Sequence, residues 1–594
     1  MAISKRCGRK WVGQEMSVKH NHYSRYIKYS LLVVVIILIG CQNSANSSFH
    51  SLNQAFISWY YKFHPVEATR FGRVNYHENF RSIGISANEE YVADISRFTI
   101  ELSQIDPTKL STEARIDYHI LYSQLEKMRY IMNDIRPWEW NPLWILDEIN
   151  EGLFLLSERN EINMDDRVEA VKGRLISIPE MLNRAKKMMI SHSPLHFKHG
   201  NKRVDGIMRL INELPIKLNS DNLTLDEIDG FILICKEAML NYQKWLNQNS
   251  VNMLVLNFPS DLKLLDKAFP YFIGEIYQHN HVYKLADKKL IPAQNRLFNL
   301  ALPIYLAAND EPVWLDRDDT LDVIHWTIDH IRNKPENQVP ISDILSHFYN
   351  SISSLEKFTD SNGIIPKNVN KSVELAFAPA FIQLAYPVNL FDYHPKKLNS
   401  GILYYIKDYE DSDGLFPLIS HEIDLTNAQH IIPGRSVQIA HAQKYSSPIR
   451  YMFPDPINEA GWKIYAVQMI LNKEYGDWNN EYHILKLKEE VTVICQAIIE
   501  GKYYSGEMER QNALLYIRKH AFLNDSEAEN NMVQSDLHYF SGTQAFIGMM
   551  EINSLLKEYK KKEGDQFQII QFHKEILENG IIPFNQLKKQ ILSL

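Results

Sequence analysis

Residues 429–435 read Gln429-His430-Ile431-Ile432-Pro433-Gly434-Arg435, and residues 460–467 read Ala460-Gly461-Trp462-Lys463-Ile464-Tyr465-Ala466-Val467. Two kinds of position alternate in these segments. Pro433, Gly434, Gly461 and Trp462 are residues that shape a chain and fill a core. Gln429, His430, Arg435 and Ala460 stand beside them, and of these four only His430 has a side chain suited to holding a metal.

The surrounding 594 residues are 45% hydrophobic and 23% charged, an ordinary globular composition with ample material for a large core. Net charge is −8, without long acidic or basic blocks. Phosphate binding needs a concentrated basic surface, so nucleic acid is not the expected partner.

The N-terminus reads as a targeting segment. Lys19, His20, Arg25 and Lys28 precede an apolar run from Leu31 to Ile39, then Gly40 and Cys41. A basic region, a short apolar core and a small residue form a secretory signal over residues 1–40. The run is too short to span a bilayer, which takes about 20 apolar residues. Leu38-Ile39-Gly40-Cys41 resembles a bacterial lipobox, which implies cleavage before Cys41 and lipidation of its thiol. Gln42 follows the cysteine, and the same resemblance then implies outer-membrane sorting where two membranes exist. Met16 is an alternative start, and an uncleaved signal anchor is the alternative reading of the segment. Residues 42–50, rich in Asn and Ser, read as a polar tether.

From residue 51 to 594 the pattern is that of one large, mainly α domain. Leu52, Phe56, Trp59, Tyr60 and Phe63 recur at helical spacing, and Pro65 restarts a helix that Gly72 ends. Helices are expected over 116–131, 168–189, 225–246, 321–331 and 342–358. Residues 251–315 read as less regular, with Ile291-Pro292-Ala293-Gln294 as a turn or helix entry. A small β element is expected near residues 370–410, where Phe377-Ala378-Pro379-Ala380 and Ile402–Ile406 have strand character. The many Trp and Tyr residues fit a core better than a sugar-binding surface at these spacings. Cys235 and Cys495 lie in apolar runs, as small buried hydrophobes do; two positions cannot establish a disulfide.

The layout of residues 421–467 resembles the DUF885 family, whose usual centre reads His-Glu-x-x-Pro-Gly-His and then Glu-Gly-Trp. In that family's pattern two histidines and the later glutamate hold zinc, and the first glutamate is the general base. Gln429 stands at the first histidine, His430 at the glutamate, Arg435 at the second histidine and Ala460 at the last glutamate. The framework is similar throughout: Pro433-Gly434, Val437-Gln438, Ser447-Pro448-Ile449-Arg450, Gly461-Trp462, Tyr465-Ala466, Gly506-Glu507-Met508 and Phe572-His573-Lys574 all match. Thr492, Glu500 and Tyr504 stand where the family usually has an arginine, an aspartate and a histidine, and Ala545 where it has a tyrosine. The resemblance implies a zincin-like helical scaffold with a degenerate centre.

A catalytic zinc takes about three His, Asp, Glu or Cys ligands, an open position for water, and a carboxylate to accept the water's proton. Alanine has no ligand atom, a glutamine carbonyl is a poor substitute for imidazole, and arginine stays protonated. Only His430 can ligate. Three relocated sites compete with this reading. His421-Glu422 starts a His-Glu-x-x-His pattern, but Leu425 occupies the second histidine position. Glu459 adjoins Ala460, yet one residue on a helix turns about 100° from the original face. His421, His430 and His441 have no spacing that a metal site explains. No Gly-x-Ser-x-Gly elbow or phosphate-binding glycine loop suggests another reaction class.

The sequence therefore points to a non-catalytic lipoprotein of the bacterial cell envelope, anchored to the membrane by lipid. Its remnant cleft would bind a peptide or an envelope protein through Arg435, His430, Tyr465 and Tyr504, with no cofactor. Arg435 would either fasten a carboxylate or be neutralised by a nearby acidic residue. Two alternatives stand beside this. One is an active metal-dependent peptidase using zinc on His430, His421 and Glu459; the other is a structural envelope scaffold.

Overall fold

The computed structural model describes residues 44–159, 162–218, 226–249, 253–309, 317–367, 373–379, 381–382, 390–393, 402–406 and 418–592. The signal segment over 1–40 and the lipidation position Cys41 lie outside the described residues.

The first described helix runs over 44–63, which shortens the tether expected over 42–50. Its polar first turns are held by tertiary contacts: Phe49 is buried and Asn46 Oδ1 accepts a hydrogen bond from the Ser111 amide at 3.0 Å. Further along, Phe56 and Trp59 meet Phe98 at ring separations of 5.5 and 5.3 Å. Burying such rings outweighs the weak helix preference of Ser and Asn. The Pro65–Arg70 helix follows and ends at Gly72, whose φ of 72° suits glycine.

Long helices then stack through the N-terminal half: Ile85–Ser103, Thr112–Tyr130, Leu143–Glu158, Met164–Met188, Pro194–Lys217 and Asp226–Asn249. Their apolar faces match the expected periodicity. The irregularity expected over 251–315 holds through the short elements Ser260–Leu262, Leu264–Ala268 and Phe269–Ile273, and then gives way to one helix, His279–Ala308, with Pro292 and Pro303 inside it. Each interior proline removes a backbone bond and costs about 3 kcal/mol. The buried face Val282, Ala286, Leu290, Ala293, Leu297 and Ala301 continues through Pro292 and ends before Pro303, which partly buried Leu302, Ile304 and Tyr305 flank. It packs on helices Arg317–Asn333 and Asn480–Tyr504, and burial of several large side chains offsets the broken bonds.

Two small sheets punctuate the helices. Strands β1 (Ser191–His192) and β2 (Leu254–Val255) pair in parallel. The second sheet has the order β3 (Val373–Phe377), β5 (Ile402–Ile406), β4 (Leu390–Tyr393), with β5 parallel to β3 and antiparallel to β4. This is the β element expected near 370–410. β3 ends at Phe377 because the Ala378 amide makes a last bond to Ile406 O and Pro379 cannot continue the ladder.

The C-terminal half builds the centre. Helices Ser420–His430, Arg435–Tyr445 and Pro456–Leu471 pack together, with Asn480–Tyr504 and Ser541–Glu563 against them. Arg450 joins the halves: its buried guanidinium donates to Asp117 Oδ1 at 2.6 Å and to Glu113 O at 2.9 Å. Cys235 and Cys495 are both buried free thiols, so no disulfide joins them. No helix among the described residues is long and apolar enough to cross a membrane.

Candidate functional site

The framework residues of the central stretch are fixed by close approach. A Cβ on Gly434 would lie 1.8 Å from Gln429 O, so the chain can fold back over the end of helix 420–430 only with glycine there. Trp462 is fully buried, and its indole N–H lies 3.1 Å from both Pro433 O and Gly434 O. Gly461 meets Gly548 where helices 456–471 and 541–563 cross; a Cβ on Gly461 would lie 2.6 Å from Gly548 O. Behind the turn, Tyr404 of β5 donates to His430 O at 2.6 Å and lies 3.0 Å from Ser436 Oγ.

The chemistry positions differ in exposure from this framework. Gln429, His430, Arg435 and Ala460 are each only partly buried. Arg435 Nε donates to Glu459 Oε1 at 2.5 Å, so the arginine is paired with the residue next to Ala460. Burial drives the His430 imidazole down to about 3, helped by the charge on Lys463 and opposed by Glu459; it is neutral at pH 7. Lys463, one turn beyond Glu459, is lowered by burial and by Arg435, while Glu459 and Glu489 oppose the shift. Its amine makes no hydrogen bond or ion pair among the described residues. Beyond it, burial raises Asp455 to about 6 and lowers Lys127 to about 8, each opposed by the other's charge.

The residues of the relocated metal site are not brought together. His421 and His430 stand at opposite ends of one helix, about 13 Å apart along its axis at 1.5 Å per residue. His421 Nε2 lies 3.1 Å from Asn479 Nδ2, while Glu422 pairs with Arg332 at 2.6 Å. His441 is buried beside Tyr445. Among the described residues no group of three or more His, Cys, Asp or Glu side chains is disposed to hold a metal ion.

Tyr465 and Tyr504, expected as ligand-binding residues, lie in the core. The Tyr465 hydroxyl bonds His573 Nε2 at 3.0 Å, and the opposite ring nitrogen of His573 faces Ile364 O. Tyr504 donates to Ser535 O at 2.7 Å. Nearby, the fully buried Glu500 receives the Gly542 and Thr543 amides at 2.9 and 2.7 Å and the Thr543 hydroxyl at 2.7 Å. It caps helix 541–563 from a neighbouring helix, a use of the carboxylate that the sequence did not announce.

Sequence reasoning also missed a cavity of about 220 Å³ beside the centre, onto which Gln429, Glu489 and Ile464 open. Lys463 had a signal, since it lies three residues from Ala460 and four from Glu459 on one helix. Glu489 had none, because it comes from another helix.

The family model for bacterial proteins of unknown function, DUF885, matches residues 65–591. The chain belongs to the DUF885 family. No curated protein matches it. Among solved structures, a candidate lipoprotein of unknown function from Shewanella oneidensis has a TM-score of 0.75 at 19% identity, covering 92% of this chain and 99% of its own. A candidate lipoprotein from Colwellia psychrerythraea also has a TM-score of 0.75, at 12% identity, covering 93% of this chain and 99% of its own. At these identities the likeness is one of fold, and this DUF885 chain shares it over nearly its whole length.

Proposed function

We propose that this DUF885 protein is a lipid-anchored protein of the bacterial cell envelope that no longer hydrolyses peptides and that uses its remnant cleft to bind a peptide or an envelope protein. The observation that carries the reading is the Arg435–Glu459 pair, a fixed cation where the resemblance implies a zinc ligand. Zinc does not fit the residues present. His430 is a lone imidazole, Gln429 and Ala460 replace ligands, and the remaining carboxylate, Glu459, is engaged by Arg435. The anchor is supported by the Leu38–Cys41 sequence and by the candidate lipoproteins that share the fold.

Residues 42–594 incubated with zinc and a mixed peptide library are expected to release no new termini while retaining a subset of the peptides. Hydrolysis that a chelator abolishes would overturn the non-catalytic reading. Absence of any retained peptide, and of any envelope protein cross-linked to the cleft, would overturn the binding role.

A further inference from the structure

The cavity beside the centre has an ionic lining that is almost entirely self-satisfied. Arg332 Nη2 reaches Glu422 Oε1 and Glu527 Oε1, each at 2.6 Å. Lys488 bonds Glu527 at 2.9 Å, and Lys486 bonds Glu490 at 2.8 Å. Arg296 also reaches Glu490 from outside the cavity. Every cation of the wall is thus held by a carboxylate. On the acidic side Glu422, Glu490 and Glu527 are engaged, and Glu489 is not.

Glu489 lies at the cavity wall and makes no hydrogen bond or ion pair among the described residues. Crowding by that wall raises its pKa, while the charges of Lys488 and Lys463 pull it down. Gln429 also lines the cavity, and its amide has no partner among the described residues. Apart from Thr426, the remaining wall is apolar: Phe348, Leu418, Leu425, Ile464, Val467 and Leu485.

We infer that this cavity binds a small primary ammonium compound with an apolar body, its ammonium on Glu489 and a polar neighbour on Gln429. The three wall cations have no unused charge for an anion, and an anion would sit against Glu489. A divalent metal finds one free carboxylate where it needs several oxygen ligands. At about 220 Å³ the cavity is smaller than the 300–1,000 Å³ of drug-sized sites, which limits the ligand to roughly amino-acid size. An apolar body removes the hydrophobic wall from water, and the charge-assisted bond to Glu489 supplies selectivity. The inference does not rest on loss of the metal centre, because Glu489, which holds the ammonium, stands on helix 480–504, away from the positions where the resemblance implies metal ligands.

The probe is L-leucinamide, which carries an ammonium, a carboxamide and an apolar side chain. N-acetyl-L-leucinamide, of the same body without the charge, is the comparison, and each is titrated by calorimetry into residues 42–594. Leucinamide is expected to bind at least about tenfold more tightly than its acetylated form. Glu489→Gln should abolish that difference with an unchanged melting temperature, and Lys463→Met should strengthen leucinamide binding by removing a competing charge. Equal binding of the two probes, no binding of either, or full leucinamide affinity in Glu489→Gln would overturn the inference. Metal content measured on the same preparation keeps this outcome separate from that of the non-catalytic reading.

Discussion

Replacing Gly461 by alanine adds one methyl group at the crossing of helices 456–471 and 541–563. The new Cβ would stand 2.6 Å from Gly548 O, 2.7 Å from its carbonyl carbon and 2.9 Å from its Cα. Ordinary contact begins at 3.4 Å, so the two backbones must part by 3.4 − 2.6 = 0.8 Å. None of the three obstructing atoms belongs to a side chain that could swing aside. Overpacking of this kind costs about 1–3 kcal/mol, and a gap approaching 1 Å along the rest of the interface forfeits a quarter to a half of its dispersion wells. We therefore take the upper end, about 3 kcal/mol. Alanine recovers about 1 kcal/mol of helix propensity, which leaves a net loss of about 2 kcal/mol. The assay is urea unfolding followed by tryptophan fluorescence, with Ala460→Ser as the neighbouring control expected to change stability by less than about 0.5 kcal/mol. Gly548→Ala should be at least as damaging, since its Cβ would lie 2.2 Å from Ile457 O. The double variant should fall short of the sum, because the first methyl already parts the helices. A Gly461→Ala protein as stable as the parent would refute the claim that this glycine is held by helix packing.

Three further outcomes follow from the same geometry. Glu459→Gln leaves the partly buried Arg435 without its carboxylate and should lower stability by about 1–2 kcal/mol, read from the same urea curves. Glu500→Ala strands the buried Gly542 and Thr543 amides and should cost about 3–5 kcal/mol; faster hydrogen exchange in the first turn of helix 541–563 would localise the loss. His573 is buried and held near 4, below the ordinary 6.5, chiefly by desolvation, with its bond to Ile364 O opposing. Because its folded value is depressed, its contribution is present above pH 6.5 and is lost as pH falls toward 4. At pH 5 the loss is about 2 kcal/mol. His573→Gln, which can keep both hydrogen bonds, should flatten the stability curve between pH 6.5 and 5 by that amount; an unchanged slope would count against a neutral buried imidazole.

The helical architecture was legible because amphipathic periodicity is written locally: helices 112–130, 164–188 and 344–361 each carry the stripe that buries them. The same local rules misread two segments. Ile291-Pro292-Ala293-Gln294 read as a turn or helix entry, but a helix with a buried face from Val282 to Ala301 runs straight through it. The Asn/Ser-rich start read as tether, yet from residue 44 it is helical, with Phe49 buried. Both outcomes depend on partners far away in sequence. At the centre, the identities of Gln429, His430, Arg435 and Ala460 were plain, and the spacing of Glu459 allowed a partner for Arg435 without revealing one. The pairing itself, the burial of Tyr465 and Tyr504 and the cavity beside Glu489 arise from helix packing, which no spacing rule in one strand of sequence encodes.

Metal content tests the central claim most directly. Residues 42–594 are dialysed against trace zinc, manganese, cobalt and iron, then against metal-free buffer, and analysed by mass spectrometry beside a DUF885 protein with the intact His-Glu-x-x-Pro-Gly-His and Glu-Gly-Trp motifs. The account predicts a loaded control and no stoichiometric metal in this protein. One tightly held ion per chain, lost on His430→Ala, would contradict it and favour the metal-dependent alternative.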